Sequence, residues 1–272
     1  MNKNILITGV TGFLGRKLAE TLMKKNYNVV GIAHSEKRVY ESWYKVAGFP
    51  IHCLDLAHNK NELDKIVKTH EIDKIIHCAA MKHVGLCEKN AYRAVEVNII
   101  GSKNVIDVAY ENDIKDVVGI STDKSINPLC VYGCTKMLME KMFLEKGYSV
   151  CRGVNFLFSD GSVLDIWEKQ KDAGQPISVN ANNTTRFFIT VEYFIDLILQ
   201  SLDGESVVTD PSSCYKIRLH DLADAFCQLH KHSLVKQNYE NSEAEKLVED
   251  IPLGISVIDT TVEDIKNILK KK

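Results

Sequence analysis

The chain has 272 residues, of which 45% are hydrophobic, so it is long enough for one large α/β domain or for a domain with a small appendage. Its formal net charge of -2 gives no indication of a nucleic acid or an anionic membrane surface as a partner. No run reaches the roughly 18 apolar residues that a membrane span needs. No signal peptide precedes the first apolar run, so we expect a cytoplasmic protein.

Short apolar runs alternate with amphipathic segments through the first part of the chain. The pattern predicts strands at 4–8, 28–33, 51–54, 74–79, 117–121 and 149–156, and helices at 14–25, 62–69, 91–112 and 132–146. Such alternation implies parallel strands joined by helical crossovers, and therefore an α/β fold with a doubly wound parallel sheet. After residue 161 the pattern loosens, with helices expected at 163–173, 191–202 and 219–230.

The sequence contains eight cysteines, and none of them forms a C-x-x-C pair. Several lie in apolar runs, which favours reduced, buried thiols over disulfides or a zinc site. Cys130 and Cys134 flank Tyr132, and we expect both to serve packing rather than chemistry.

A glycine-rich loop follows the first strand, with glycines at Gly9, Gly12 and Gly15. Glycine permits the tight turn and lets the backbone approach a pyrophosphate closely, while the helix that opens here directs free N–H groups and its positive end at the phosphates. A plain glycine-rich turn is the alternative. The position after a first strand and before a helix favours a dinucleotide-binding loop.

The end of the second strand indicates which dinucleotide binds. An NAD-preferring site usually has an acidic residue there, whereas this chain has His34 and Ser35, followed by Lys37 and Arg38. A hydroxyl and cations suit a 2′-phosphate, so we predict NADP. The alternative is that the two cations are only the solvated start of a helix. Asp55, after the third strand, is a candidate acceptor for the adenine amino group.

The catalytic candidates follow the fifth strand. Thr122, Asp123 and Lys124 stand at its end, and Tyr132 and Lys136 are four residues apart on the next helix, so they share one face. The lysine charge would favour the phenolate form of the tyrosine, which could then take a proton from a sugar hydroxyl. Y-x-x-x-K alone is common on ordinary helices, but its place behind a dinucleotide loop favours the catalytic interpretation.

These motifs together resemble the extended short-chain dehydrogenase/reductase family, which has an NAD(P)-binding Rossmann fold. More narrowly, the chain resembles the 5-inverting UDP-N-acetylglucosamine 4,6-dehydratases. That family shows A-A-x-K-H-V, S-T-D-K-x-x-x-P and T-R-F-x-I-T, which residues 79–84, 121–128 and 185–190 match.

The resemblance implies a redox-neutral dehydration of UDP-N-acetylglucosamine with inversion at carbon 5. Tyr132 would act as the base when NADP oxidises carbon 4, and Thr122 would bind the 4-hydroxyl. Lys124 would remove the proton from carbon 5, while Asp123 protonates the departing 6-hydroxyl. The resemblance also implies a homo-oligomer.

The same resemblance assigns binding residues. The cofactor would contact Gly9, Thr11, Gly12, Phe13, Gly15, Ser35, Arg38, Asp55, Leu56, Ala79, Ala80, Lys82, Asn98, Tyr132 and Lys136. The substrate would contact Lys82, Asn155, Ser162, Val163, Arg186 and Glu245. We therefore predict a dinucleotide-binding domain over 1–160 and a mostly substrate-binding region over 161–272, interleaved with the core.

The chain departs from the family pattern in its second half, where it is short. It reads Arg152-Gly153-Val154-Asn155 where the family has Arg-Tyr-Gly-Asn, and Asp160 and Ser242 replace two usual arginines. Alternative functions are a retaining 4,6-dehydratase or 4-epimerase on the same fold, and a non-catalytic NADP-binding protein. Asp123 and Lys124 argue against the epimerase, and the complete set of catalytic residues argues against the pure binder.

Overall fold

The computed structural model of the protein describes residues 4–43, 48–180, 184–202, 206–237 and 256–270. Its strands, numbered along the chain, are β1 (Asn4–Thr8), β2 (Asn28–Ala33), β3 (Ile51–Cys53), β4 (Lys74–His77), β5 (Asp116–Thr122), β6 (Ser149–Gly153), β7 (Asn155–Phe156), β8 (Ile177–Asn180), β9 (Thr185–Ile189), β10 (Val208–Thr209), β11 (Ser213–Arg218), β12 (Leu234–Gln237) and β13 (Ser256–Asp259). Its α-helices are α1 (Phe13–Lys24), α2 (Glu36–Trp43), α3 (Lys60–Thr69), α4 (Val84–Lys89), α5 (Ala91–Val95), α6 (Gly101–Glu111), α7 (Val131–Glu145), α8 (Val163–Asp172), α9 (Val191–Leu202), α10 (Leu219–His230) and α11 (Val262–Leu269).

The chain divides into two compact units. Unit 1 comprises Met1–Gly153 and Glu192–Asp210, and unit 2 comprises Val154–Val191 and Pro211–Lys272. The second unit is therefore built from two stretches of chain, between which a piece of unit 1 is inserted. The assignment of cofactor binding to one unit and substrate binding to the other stays a prediction.

Unit 1 contains a seven-stranded parallel sheet in the order β10-β6-β5-β4-β1-β2-β3. This order reverses between β1 and β4, as in a doubly wound sheet, and confirms the predicted fold class. The central strands carry apolar side chains on both faces because helices cover both sides. Leu6, Ile75 and Val117 are fully or almost fully buried in the resulting core.

A helical stretch before β5 differs from the single long helix that the sequence predicts over 91–112. The structure has α5, then a π-helical turn over Glu96–Ile100, then α6. A π-helical turn has i→i+5 hydrogen bonds and so contains one more residue than an α-helical turn. The apolar pattern does not reveal this extra residue, because each half of the stretch is itself regular.

The predicted sixth strand over 149–156 is also divided. β6 belongs to the parallel sheet of unit 1, whereas β7 pairs with β9 in unit 2. The prediction of one strand was wrong because Val154 alone separates two extended segments, which form one continuous run in the sequence.

Unit 2 has a four-stranded sheet in the order β13-β11-β9-β7 and a separate parallel pair, β12 and β8. In the larger sheet β9 and β11 are antiparallel, while the other neighbours are parallel. Helices α8, α10 and α11 contribute to an apolar core that contains Trp167, Phe226 and Ile265. This core is separate from the core of unit 1. Within the described residues, no helix has the length and apolar character of a transmembrane segment.

Candidate active site

The glycine loop between β1 and α1 has the geometry of a phosphate-binding turn. Gly9 has φ of 68°, and a Cβ atom there would lie 2.8 Å from the backbone nitrogen of Ala79. A Cβ atom on Gly15 would lie 2.4 Å from the carbonyl oxygen of Gly9, so α1 packs directly on the loop. Gly12 occupies the N-cap of α1, and the first turn of that helix carries no acidic side chain. The free N–H groups there fit the diphosphate of a dinucleotide.

A buried hydrogen-bond network anchors this loop to β4. Thr8 and His77 are paired in register on β1 and β4, with Thr8 Oγ1 2.7 Å from His77 Nδ1 and 3.2 Å from the backbone nitrogen of Ala79. On its other side, His77 Nε2 lies 2.9 Å from Ser102 Oγ, which donates to the carbonyl oxygen of Asn98 at 2.7 Å. Since Thr8 accepts from Ala79 and Ser102 donates to Asn98, the imidazole accepts at Nδ1 and donates from Nε2–H.

The burial of His77 makes folding stability depend on pH. Burial, together with the Lys136 charge, lowers its pKa from 6.5 to about 3. Below pH 6.5 the unfolded chain therefore binds a proton that the folded state excludes. The contribution of neutral, buried His77 to the free energy of unfolding is therefore complete above pH 6.5. It is lost as the pH falls towards 3, at about 1.4 kcal/mol for each pH unit.

We expect His77→Gln to remove this part of the pH dependence. Urea unfolding of the wild type and the variant between pH 4.5 and 7.5 measures it as the difference between their free energies of unfolding. That difference should be largest at neutral pH and should shrink as the pH falls. His58→Gln, on the exposed surface, is the control, and an equal change of slope in that variant would contradict a specific role of His77.

Asn98 lies at the middle of the π-helical turn and is fully buried. Its side-chain oxygen accepts from the backbone nitrogen of Met81 at 2.8 Å, and its nitrogen donates to the Met81 carbonyl and to Thr135 Oγ1, both at 3.0 Å. It thereby fixes the segment after β4, with Ala79 and Ala80, against α7. Its predicted contact with the cofactor stays a prediction.

The structure brings Arg93 to the ends of β2 and β3. Its guanidinium contacts Asp55 at 2.9 Å, His34 Nε2 at 3.1 Å and Glu96 at 3.0 Å. Burial raises the pKa of Asp55, but hydrogen bonds from Arg93 and from the Ala57 N–H, with the Arg93 charge, outweigh it and lower the pKa overall. Both Asp55 oxygens are thus already engaged.

Sequence reasoning missed Arg93, because it lies inside what the pattern indicates is an ordinary surface helix. The remaining predicted residues of this region are Ser35, which is partly buried, Leu56, which is buried, and Arg38, whose side chain is outside the described part of the structure. Thr11 in the loop is buried, Phe13 is partly buried, and Lys82 after β4 is exposed.

The catalytic candidates after β5 form a tight turn. Thr122 ends the strand, and a 3₁₀ turn follows over Asp123–Ser125. Lys124 Nζ lies 3.0 and 3.2 Å from the two carboxylate oxygens of Asp123, and Thr122 Oγ1 donates to that carboxylate at 2.7 Å. The exposed fractions of the two charged side chains are only 15% and 6%, so this is a shielded ion pair.

Helix α7 packs directly on this turn. A Cβ atom on Gly133 would lie 2.4 Å from the carbonyl oxygen of Lys124, so glycine is required for the contact. The Cys130 side chain caps the helix by accepting from the Gly133 N–H at 3.3 Å, and Glu88 accepts from the Val131 N–H at 2.6 Å. Tyr132, which has a hydrogen bond with Thr122, is therefore held beside the Asp123–Lys124 pair.

The electrostatics of Tyr132 and Lys136 differ from the expectation that the lysine lowers the tyrosine pKa. Burial, with the nearby Asp123 charge, raises the pKa of Tyr132. Burial lowers the pKa of Lys136 to about 8, against a raising effect of Glu140. The reason is the orientation of Lys136, whose Nζ contacts the Met139 sulfur at 2.9 Å along its own helix. A buried ammonium that contacts a thioether fits a role in binding the hydroxyl groups of a nicotinamide ribose.

Apart from Lys82, which lies in unit 1, the predicted substrate residues that the structure describes lie in unit 2. Asn155 donates to the Phe187 carbonyl at 2.9 Å, and Ser162 caps α8 by accepting from the Asp165 N–H. Val163 begins that helix and is partly buried, as is Arg186, which donates to the Thr185 carbonyl at 2.8 Å. Glu245 lies outside the described residues. Their contacts with a substrate stay predictions.

The eight thiols all lie within the described residues, and the expectation that they are buried holds for most of them. Cys53 and Cys134 are exposed, because each lies on the solvent side of its element. Burial raises the pKa of Cys78 and of Cys151 to about 12, so both remain thiols. The described residues contain no group of three or more side chains suited to a metal ion.

Comparisons with known proteins show what the chain is similar to. A family model described as "Polysaccharide biosynthesis protein" matches residues 5–263. "Uncharacterized membrane protein MJ1061" from Methanocaldococcus jannaschii is 34% identical over 211 residues, which cover 74% of this chain and 63% of that protein. The UDP-N-acetylglucosamine 4,6-dehydratase (inverting) of Campylobacter jejuni is 30% identical over 251 residues, which cover 86% of this chain and 73% of that enzyme.

Solved structures share the fold at lower sequence identity. Pen from Bacillus thuringiensis superimposes with a TM-score of 0.87 at 22% identity, covering 99% of this chain and 97% of that one. UDP-glucose 4-epimerase from Thermotoga maritima superimposes with a TM-score of 0.80 at 16% identity, covering 98% and 99%. The chain thus spans nearly all of these structures but less than two thirds of the archaeal relative.

Proposed function

Because the chain belongs to the polysaccharide biosynthesis protein family, whose fold it shares with short-chain dehydrogenase/reductase enzymes, we propose that it is an NADP-dependent UDP-N-acetylglucosamine 4,6-dehydratase that inverts carbon 5. The observation that carries this proposal is the shielded Asp123–Lys124 ion pair beside Tyr132. Dehydration needs an acid for the departing hydroxyl and a base for the neighbouring proton. An epimerase, which only exchanges a hydride, needs neither.

The ion pair supplies both catalytic forms by moving a single proton. Lys124 must be a neutral amine to take the proton from carbon 5, and Asp123 must be a carboxylic acid to protonate the 6-hydroxyl. Transfer of one proton from Nζ to the carboxylate, across a contact of 3.0 Å, generates the amine and the acid together. Lys124 then takes the carbon-5 proton, and Asp123 gives its proton to the hydroxyl, which leaves as water.

Tyr132 acts at carbon 4 in this proposal. Its pKa is raised by burial and by Asp123, so we expect its deprotonation to need the Lys136 ammonium, whose Nζ would have to turn away from Met139. The bound nicotinamide would supply the chemistry of accepting hydride from carbon 4 and returning it to carbon 6, while a proton from the solvent returns to carbon 5 on the opposite face. The glycine loop would hold the diphosphate, and Lys136 the nicotinamide ribose.

The preference for NADP over NAD is supported by the residues at the end of β2. Ser35 follows that strand, Lys37 lies in the first turn of α2, and Arg93 adds a guanidinium at the same place. Arg93, which Asp55 shares with Glu96, offsets part of the charge of the Asp55 carboxylate and so weakens its repulsion of a phosphate. A 2′-phosphate fits this set of donors.

Exposed apolar side chains on neighbouring helices support the prediction that the chain forms a homo-oligomer. Leu86 on α4, Tyr92 and Val95 on α5, and Leu138 on α7 are 51%, 81%, 40% and 45% exposed. Burial of such side chains favours association. We therefore propose a homo-oligomer that uses this face. The cytoplasmic location stays a prediction.

Proton NMR of UDP-N-acetylglucosamine incubated with the protein in deuterated water tests the proposal. We expect a UDP-2-acetamido-2,6-dideoxy-4-keto-hexose with deuterium at carbon 5 and inverted configuration there, formed faster with added NADP than with NAD. The same product with retained configuration would overturn the inverting assignment. A 4-epimer would replace the dehydratase with an epimerase, and no turnover of any UDP-sugar despite bound cofactor would favour a non-catalytic binder.

A further inference from the structure

Glu140 is a buried carboxylate on α7, one helical turn after Lys136, and it is 3% exposed. Its Oε1 atom accepts hydrogen bonds from Ser121 Oγ at 2.5 Å, from Ser125 Oγ, and from Arg152 Nε at 2.9 Å. Its Oε2 atom accepts from Arg152 Nη2 at 2.6 Å. Four donor groups therefore converge on one carboxylate, enough to satisfy its lone pairs in a buried position.

These donors come from the elements that carry the catalytic turn. Ser121 lies near the end of β5 and is paired in register with Arg152 on β6. Ser125 closes the 3₁₀ turn, because its hydroxyl also contacts the Thr122 carbonyl at 2.6 Å. The Glu140 carboxylate thus ties both ends of the Asp123–Lys124 turn to α7.

The Glu140 carboxylate also keeps its charge. Burial raises its pKa, but the hydrogen bonds from Arg152, Ser121 and Ser125 and the Arg152 charge outweigh burial and lower the pKa overall. Asp210, the second acidic partner of Arg152, lies 3.4 Å from Nη1. A charged Glu140 is therefore present next to Lys136 over the whole physiological range of pH.

The charge of Glu140 acts on Lys136, which is 2% exposed. The groups around this ammonium are Glu140 on its own helix, with the Cys78 thiol and the His77 imidazole at the end of β4. Burial opposes the protonated form of Lys136 and lowers its pKa to about 8, while Glu140 favours that form. His77 is neutral and Cys78 is a thiol, so Glu140 is the anion among these neighbours.

We propose that Glu140 is a positioning residue of the active site, which holds the Asp123–Lys124 turn in place and keeps Lys136 protonated for cofactor binding and for Tyr132. The part that concerns dehydration rests on the proposed function, whereas the part that concerns Lys136 and the cofactor does not.

Glu140→Gln tests this proposal, because it preserves shape and removes the charge. Two quantities are measured between pH 6 and 10: the Kd of NADPH by its fluorescence, and kcat for dehydration. Binding of NADPH should weaken at alkaline pH as Lys136 loses its proton. In the variant we expect this loss to move to lower pH by about one unit. We also expect kcat at pH 7 to fall about a hundredfold, as a displaced turn would cause.

Two further variants separate positioning from loss of structure. Glu145→Gln makes the same change at an exposed position on the same helix, and should keep the wild-type pH dependence. The double variant Glu140→Gln/Arg152→Gln removes the buried cation together with its nearer anionic partner and leaves Asp210, which is 33% exposed, so it should fold even if Glu140→Gln alone does not. It should still show the shift in NADPH binding.

An alkaline loss of NADPH binding at the same pH in Glu140→Gln, the double variant and the wild type would overturn the role towards Lys136. A kcat within threefold of the wild type in a folded variant would overturn the role towards the turn. If the wild-type protein binds NADPH but converts no UDP-sugar, the proposed function fails, and the pH dependence of binding still decides the role of Glu140.

Discussion

Lys124→Ala should abolish dehydration, lowering kcat by at least about a thousandfold. The variant removes the proposed base for carbon 5. In the proposed mechanism it also removes the proton donor of Asp123, whose carboxylate lies 3.0 Å from Nζ. Both halves of the elimination therefore fail together. The glycine loop lies at another strand end, so the Kd of NADP should change less than threefold. Product formation by NMR and cofactor binding by calorimetry measure the two effects.

Lys115→Ala is the matched control, since this lysine of the same unit is 81% exposed and should be dispensable. Asp123→Asn should be as inactive as Lys124→Ala, and the double variant should lose no more than either single variant, because the two residues act as one unit. More than a tenth of wild-type kcat in Lys124→Ala would show that another group is the base. A large loss of NADP binding would mean that Lys124 serves the cofactor instead.

Gly133→Ala should lower kcat about a hundredfold while the protein remains folded. The new Cβ atom would lie 2.4 Å from the Lys124 carbonyl oxygen and 3.3 Å from Pro128 Cα. Both obstacles are backbone atoms that no side-chain rotation can move, so the Asp123–Lys124 turn has to shift from α7. A shift of about 1 Å is enough for an effect of this size. Overpacking should also cost about 1–3 kcal/mol of the free energy of unfolding.

Gly101→Ala supplies the control for this change. Gly101 lies at the start of α6 in continuous helical conformation, and the nearest atom to its added methyl group is Leu56 Cβ at 3.4 Å, an ordinary contact. We expect unchanged kcat and a stability gain of up to about 1 kcal/mol from helix propensity. Equal losses of kcat in both variants would indicate that the activity is sensitive to any methyl group added in unit 1. The effect of Gly133→Ala would then not be specific to the contact with Lys124.

The fold of unit 1 could be predicted because each of its strands and helices has a recognisable pattern in a short stretch of sequence. Each buried strand is a short apolar run and each crossover an amphipathic segment, so the order of elements leads directly to a doubly wound sheet. Unit 2 could not be predicted to the same extent. Strands β8, β11 and β13 are short or partly exposed. They also pair with strands from distant parts of the chain, and the hydrophobic pattern of a strand does not indicate its partner.

The candidate site shows the same division. Asp123, Lys124, Tyr132 and Lys136 could be named as candidates because a strand end and a helical spacing of four mark them in the sequence. Glu140 and Arg93 could not be identified from the sequence, since each is an ordinary charged residue on a helix until the partners from other elements are known. The predicted direction of the pKa shift of Tyr132 was wrong for a related reason. The sequence places Lys136 on the same helix face, but it does not show that the Lys136 side chain turns towards Met139.

The π-helical turn at Glu96–Ile100 changes the direction in which the side chains after it point. One additional residue in a turn rotates every following side chain by about 100° relative to an uninterrupted α-helix. Before the turn, Arg93 faces the ends of β2 and β3; after it, Val105 and Val108 face the core. The side chains of α6 thus face a different direction from those of α5, although no break, proline or loop separates the two helices. Insertion of a single residue is sufficient to combine a core-packing helix with one that reaches the ends of β2 and β3.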